Sequence, residues 1–471
     1  MTISSQPDTR AAPPAPQAQG GGLPEVWRRR LLAMFLLTLL LPIQLEVASL
    51  RLSPYRFYLL LATIPFALAL VTGRGGRVVP ADWAMFLAVV WIFLSLVYHH
   101  GTANIPYAGI TGVELFGGYL AGRLLIRTPQ DYRRFIRYFL TALLLLAPFA
   151  AVELFTGRMI ISELLSRVFT VGANEEGTRL GLSRVQAVFQ HPILWGLFCS
   201  LAAANVFYVY KGRLARIALR MSLVIGMTFS SLSAGPLLSV LFQTLLVIWH
   251  FLTGGRWWLL ISICIGLYIL VDLASNRTPV TILISYATFN PVSAWYRINI
   301  WEYGTAEVMR HPLLGIGLND WQRPAWMVHP TVDNFWLLMA MRYGLPALGL
   351  LIVGLVANLA AIVRARLDEA GRTLRNGYLI ALAGVMLTLG TVHIWDALLA
   401  AIMFYIGAGA FFYTAPEPAA KVDQTGPPPA SRRGAEDSPT RSPEAAGDPR
   451  RRPLPYTRAH PPQQYGKTSG R

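Results

Sequence analysis

Residues 236–273, PLLSVLFQTLLVIWHFLTGGRWWLLISICIGLYILVDL, decide the class of this chain. Two apolar runs, 236–253 and 257–273, are separated only by Gly254, Gly255 and Arg256. Each approaches the ~20 helical residues that cross a bilayer. The pattern recurs along the chain. Hydrophobic residues make up 54% of the 471 and charged residues 14%, where a soluble domain carries about 25% charged residues. Twelve spans fit, near 31–50, 57–72, 82–98, 108–126, 135–155, 191–210, 217–233, 236–253, 257–273, 344–363, 376–394 and 396–413. The expected fold is all-α, a polytopic membrane protein of about twelve transmembrane helices with a large loop between the ninth and tenth.

Arginine placement orients the spans. Arg28–Arg30, Arg74 and Arg77, Arg127 to Arg137, Lys211 to Arg216, Arg256, and Arg364 to Arg375 fall on one side of a twelve-span arrangement. By the positive-inside rule that side is the cytoplasm. Both termini are then cytoplasmic, and two long connections, about 156–190 and 274–343, are exterior. Residues 1–27 read as a disordered tail rich in Pro, Gln and Gly, without a cleavable signal peptide. Residues 28–414 form the membrane domain. Residues 415–471, rich in Pro, Ser and Arg, have too little apolar content to fold. The formal charge of +17 therefore belongs to cytoplasmic loops and a solvated tail in contact with membrane lipids, and nucleic-acid binding is not expected. Cys199 and Cys264 lie inside apolar runs and read as buried small residues, not as a disulfide or metal pair.

Polar chemistry is concentrated in the exterior connections. Residues 295–344, WYRINIWEYGTAEVMRHPLLGIGLNDWQRPAWMVHPTVDNFWLLMAMRYG, form the most polar and aromatic block. A helix is expected over 295–309, with Arg297 and Trp301 on one face and Ile298, Val308 and Met309 against the membrane surface. Arg297 either stacks on Trp301 or holds a phosphate through paired donors. His311-Pro312 ends that helix, and Gly315 and Gly317 turn the chain. Asp333 caps the next helix, with Asn334 in its first turn, or else Asp333 or His329 serves as a general base for a hydroxyl group. In the earlier connection, Arg179 and Arg184 precede His191-Pro192, which suits a helix start. Ser230 to Pro236 breaks two short spans, as a tight turn or as the floor of a binding site. Glu114 lies within the fourth span and needs an arginine partner, Arg123 or another; Glu153 sits near an exterior end.

Four blocks, RVQAVFQHPILWG (184–196), SLSAGPLLS (231–239), YRINIWEYGTAEVMRHPLLGIGLNDW (296–321) and VDNFWLLMAMRYGLPALGL (332–350), resemble the O-antigen ligase and polymerase superfamily, which includes exopolysaccharide polymerases of the Wzy type. The resemblance covers roughly residues 180–365. It implies an inner-membrane glycosyltransferase of GT-C type that needs neither metal ion nor other cofactor. The implied donor is an oligosaccharide on undecaprenyl diphosphate, and the implied acceptor is a glycan or lipid A–core. Arg184 and Arg297, with Arg179 nearby, would grip the diphosphate on the periplasmic side. His191, Trp301, Asn334 and His311 would support the site, and Asp333 or His329 would take the acceptor proton. The family commonly shows His-Asn-x-x-Leu where this chain has Asp333-Asn334-Phe335-Trp336-Leu337, so aspartate stands in the histidine place. This form tilts the expectation toward a polymerase, with a chain-length regulator as a further partner. A ligase acting on lipid A–core is the near alternative, and a transporter or flippase of lipid-linked sugars, or a scaffold, the distant one.

Overall fold

The computed structural model describes residues 23–47, 50–172, 177–275, 282 and 291–414. The expected tails at 1–22 and 415–471, and part of the long loop after residue 275, lie outside the described residues. Helices dominate the rest. Eight are long and apolar enough to cross a bilayer, which agrees with an all-α membrane protein. They are α2 (Pro54–Val71), α3 (Pro80–His100), α6 (Pro129–Thr156), the pair α8 and α9 (Pro192–Ser200, Ala203–Val209), α11 (Ala234–Thr253), α12 (Trp257–Ala274), α14 (Phe335–Arg364) and the pair α16 and α17 (Asp396–Ala408, Phe411–Thr414).

The other four expected spans are helical but shorter, interrupted or more polar. The first, read as 31–50, is instead α1 (Glu25–Leu39) followed by strand β1 (Ile43–Val47). Pro42 biases Leu41 away from helix, and fifteen residues reach roughly 22 Å. β1 pairs antiparallel with β2 (Leu50–Leu52) and with β3 (Thr170–Val171), which follows the short α7 (Ile160–Leu165). The fourth span is α4 (Ile105–Gly112), a π-helical turn (Val113–Gly117) and α5 (Gly118–Leu125). The seventh is α10 (Leu214–Ser230) and the eleventh α15 (Glu369–Leu389). A hairpin, β4 (Thr178–Arg179) with β5 (Leu182–Ser183), turns through Leu180 and Gly181, both at positive φ. Two such residues are what a tight hairpin turn requires.

The centre of the bundle is α8–α9 and α16–α17, which bury most of their residues, whereas α12 buries none. α5 crosses α16 backbone to backbone. A β-carbon on Gly122 would collide with the Phe404 carbonyl oxygen, and one on Gly407 with that of Tyr119. Small residues permit this approach between apolar helices, where dispersion rather than water expulsion holds the contact. Glu114, in the π turn, accepts from the Tyr55 hydroxyl at 2.6 Å and from Arg56 Nε at 2.8 Å. Its partner is therefore Arg56. Arg123 turns instead to Asp82, 3.4 Å away, and to the Arg77 carbonyl. A buried carboxylate without such partners would cost several kcal/mol or change its protonation.

One irregularity positions everything that follows. The expected tenth span begins at Phe335, not at residue 344, and bends at Gly344, which has φ 83°. Pro346 has no N–H to offer the Arg342 carbonyl one helical turn back. The Leu345 amide donates to Pro312 O, and so the Met341 carbonyl is freed as well. Both freed carbonyls accept from a neighbouring segment: Ile316 N donates to Met341 O and Gly317 N to Arg342 O, each at 2.8 Å. Gly315 and Gly317 take φ near +63° to make this docking. A β-carbon on Gly315 would meet the Arg342 backbone, and one on Gly344 the Leu313 carbonyl. The turn is held from the other side by α3, where Ser95 Oγ donates to Leu314 O at 2.6 Å and His100 Nε2 accepts from Leu318 N at 2.7 Å.

Candidate active site

A cavity of about 680 Å³ opens where the connections before α8, before α14 and before α16 meet. Its polar lining is His191, Asp320, Asp333, Arg342 and His393, with Trp395 beside them. Three of the four sequence blocks contribute directly. The remaining block lies just behind: Arg184 donates to Ser233 Oγ at 3.1 Å, and Val185 N donates to Ser230 O at 3.0 Å. Pocket walls of this size with a few converging polar groups are typical of ligand sites.

The block at 184–196 is fixed from below. Glu153, buried at the end of α6, accepts from Gln186 N at 2.7 Å and Ala187 N at 3.1 Å. Ala187 holds φ 52° there, a conformation that costs a non-glycine residue about 1 kcal/mol or more. His191 is the N-cap of α8, as expected, and its Nδ1 accepts from Ile193 N at 3.1 Å. With Nδ1 used as an acceptor, a neutral ring carries its proton on Nε2. The break at Ser231–Ser233 is real, and Leu232 within it has φ 46°.

α13 (Pro291–Arg310) carries Arg297. Its guanidinium lies 3.8 Å from the Asp333 carboxylate, so that Asp333, itself lining the cavity, is what joins Arg297 to it. Trp301 and Met309 are exposed, but Val308, expected at the membrane surface, is buried with Ile300 against Leu337 and Met341 of α14. The cap of α14 is Asn334, whose side chain accepts from Leu337 N at 3.0 Å. Asp333 is therefore not the cap, because the helix starts one residue later than the aspartate reading required. Its side chain is 45% exposed. His329 lies on the exposed chain before α14; its carbonyl, not its ring, is engaged, accepting from Tyr296 OH, and it does not line the cavity. His311 ends α13 and approaches Glu307 at 3.7 Å, where Arg310 also pairs. Arg179 donates to Leu232 O at 2.6 Å. Asp320 is held below the usual carboxylate range by its hydrogen bond to Arg323.

Three side chains that sequence reading passed over complete the wall. Arg342 sits at the kink of α14, and among the described residues no carboxylate lies within ion-pair distance of it. His393 stacks on Trp395, centroids 5.4 Å apart at 28°, and Trp395 meets His191 at 5.9 Å. His393 Nδ1 is buried without a hydrogen-bond partner among the described residues. Burial first, and the Arg342 charge second, push this imidazole down to about 3, so the ring is neutral near pH 7. The available signal was polarity in an apolar stretch: His393 and Asp396 interrupt two runs that were read as adjoining spans.

Among the described residues no three His, Cys, Asp or Glu side chains are grouped as metal ligands would be. What the cavity offers is a cation without a carboxylate, an uncharged imidazole and a carboxylate backed by arginine, which together suit an anionic ligand and a proton transfer. No family model matches this chain, and no match is found among curated proteins.

Proposed function

We propose that this protein is a polysaccharide polymerase of the bacterial inner membrane. It transfers an oligosaccharide from undecaprenyl diphosphate to a hydroxyl of an acceptor glycan, in exopolysaccharide or O-antigen synthesis. The observation that carries the reading is that three of the four sequence blocks line one cavity holding Arg342, His393 and Asp333, with the fourth hydrogen-bonded to the first of them. Two segments about a hundred residues apart, 184–196 and 296–321, need a reason to gather polar groups at one opening. A shared ligand supplies one.

In this reading the cavity faces the periplasm and takes the diphosphate end of the donor. The acceptor oxygen attacks the anomeric carbon with inversion, and the bond from that carbon to the phosphate oxygen breaks. The leaving undecaprenyl diphosphate keeps the electron pair, and arginine charge stabilises it as it develops. Arg342 stands in the wall, Arg297 behind Asp333 and Arg184 behind Ser233. The acceptor proton goes to a base on the wall, for which Asp333 and His393 are the two side chains in place. The reaction needs no nucleotide sugar or other cofactor.

The test is a deletion strain complemented with the wild-type protein or Arg342→Ala, at equal membrane levels, with surface polysaccharide and lipid-linked intermediates sized. Single repeat units on undecaprenyl diphosphate accumulate and polymer is lost if the protein is a polymerase. Polymer that forms on the carrier but never reaches lipid A–core would make it a ligase. Lipid-linked units trapped on the cytoplasmic face would make it a flippase.

A further inference from the structure

A second cavity, of about 460 Å³, adjoins the first. The two share Arg342, His393 and Trp395 as a common wall. The second is chemically distinct. Glu114 and Asp396 both reach Arg56, at 2.8 and 2.5 Å, so two carboxylates face one guanidinium. Asn104 and Tyr107 complete the polar rim. Arg56 and Arg342 balance Glu114 and Asp396 across this lining, and a polyhydroxylated ring finds acceptors, donors and an aromatic face there.

Backbone irregularity concentrates at the same place. Asp396 is the first residue of α16 yet holds φ 52°, in the left-handed region. Glu114 sits on the π-helical turn, a local defect frequent at functional sites. Asp396, in a conformation that costs a non-glycine residue stability, and Glu114, on the π turn, both pair with Arg56.

We propose that this second cavity is the acceptor-saccharide subsite, and that the acceptor hydroxyl crosses to the donor at the His393 edge of the shared wall. The inference rests on the glycan-transfer reading and assigns its second substrate. The acceptor O–H proton passes to the His393 imidazole as the oxygen bonds to the anomeric carbon and the carbon–phosphate oxygen bond breaks. Arg342 holds the departing diphosphate. A diphosphate beside Arg342 offsets the smaller of the two causes that lower the imidazole's proton affinity, burial being the larger. Asp333, which lines the first cavity and not the second, then positions Arg297 and is not the base.

The experiment uses the full chain in nanodiscs, with undecaprenyl diphosphate as the binding probe, and the complemented deletion strain for polymer. Ala103 is exposed at the rim of the second cavity, so Ala103→Trp fills its mouth; Thr331→Trp fills the first. In variants that keep the wild-type melting temperature, Ala103→Trp is expected to lose polymer and retain undecaprenyl diphosphate affinity, while Thr331→Trp loses both. Tyr107→Ala is a milder second variant, expected to lower polymer yield at unchanged donor affinity. Wild-type polymer from both Ala103→Trp and Tyr107→Ala would overturn the assignment. So would loss of undecaprenyl diphosphate binding in both, which would give the cavity to the donor. If the wild-type protein binds no undecaprenyl diphosphate and the deletion strain accumulates no lipid-linked glycan, the transfer reading itself fails and takes this inference with it.

Discussion

The Gly317 amide donates to the Arg342 carbonyl at 2.8 Å, across a contact too close for a side chain on the neighbouring Gly315. This bond repairs the gap left in α14 by Pro346 and thereby fixes Arg342, which has no carboxylate partner among the described residues. The 312–317 turn thus helps to build the site, and its Ile316 lines the cavity. Gly315→Ala combines a positive-φ penalty of about 1–2 kcal/mol with a collision against the Arg342 backbone. It should lower the melting temperature and reduce polymer formation together. Gly349→Ala, on the same helix in open space, should do neither. Differential scanning fluorimetry beside polysaccharide sizing reads both effects.

The arginines are not equivalent. Arg342 lines both cavities, whereas Arg310 is paired with Glu307 and lines neither. Arg342→Ala should weaken undecaprenyl diphosphate binding by about 1.5–3 kcal/mol, the usual worth of a hydrogen bond to a charged group, and Arg342→Lys should recover only part of it, because a point charge replaces a planar fork. Arg310→Ala should leave binding unchanged. Equal losses in the two alanine variants, measured by titration in nanodiscs, would mean that general positive charge and not the kinked position matters.

The outline of the fold was legible because lipid imposes it: long apolar runs such as 257–273 can be little else. So were the terminators, since His191-Pro192, His311-Pro312 and the Ser231–Ser233 break follow from backbone chemistry that neighbours do not override. What escaped reading depended on tertiary partners. Asp333 looked like a cap because aspartate caps helices, but Asn334, one residue on, made the bond to Leu337 N. The turn of the chain after α1 was hidden by apolar residues that serve a strand as well as a helix. His393 and Arg342 were missed for a shared reason. Each sits in a short irregular stretch between apolar segments, and only the folded chain shows that residues 342 and 393 border the same space.

Glu153 is a carboxylate whose work is done through backbone amides. It accepts from Gln186 N and Ala187 N and so holds the segment that carries Arg184 and His191. Glu153→Gln keeps the shape but leaves one acceptor oxygen where there were two, and sets its NH₂ against backbone N–H donors. The variant should lose stability of about 1–3 kcal/mol. Donor binding should fall as the 184–196 segment loosens, and proteolysis should newly cut between residues 177 and 190. A cleavage pattern identical to wild type would show that the segment is held by its other contacts.

His393 gives the protein a pH signature separable from catalysis. The groups around it are Arg342 from α14, His191 across the Trp395 ring, Asp333 on the lining of the first cavity and Asp396 at the start of α16 on that of the second. Its folded-state pKa is pushed from the ordinary 6.5 to about 3, by burial and then by Arg342. Between those values the unfolded chain binds a proton that the folded chain refuses. The linkage sign follows: stability is full above about 6.5 and is lost progressively as the pH falls toward 3. His393→Phe keeps a ring to stack on Trp395 and removes the titrating group. Melting temperatures from pH 7 to pH 4.5 should therefore fall more steeply for the wild-type protein than for His393→Phe, and saturating undecaprenyl diphosphate should flatten the wild-type curve by offsetting the Arg342 charge. Parallel curves for the two proteins would place the acid sensitivity elsewhere. In transfer assays the same variant should retain donor binding yet lose about 10²–10⁴ in rate, the usual contribution of a positioned general base. Partial recovery on adding free imidazole to His393→Gly would separate that chemical role from a packing role.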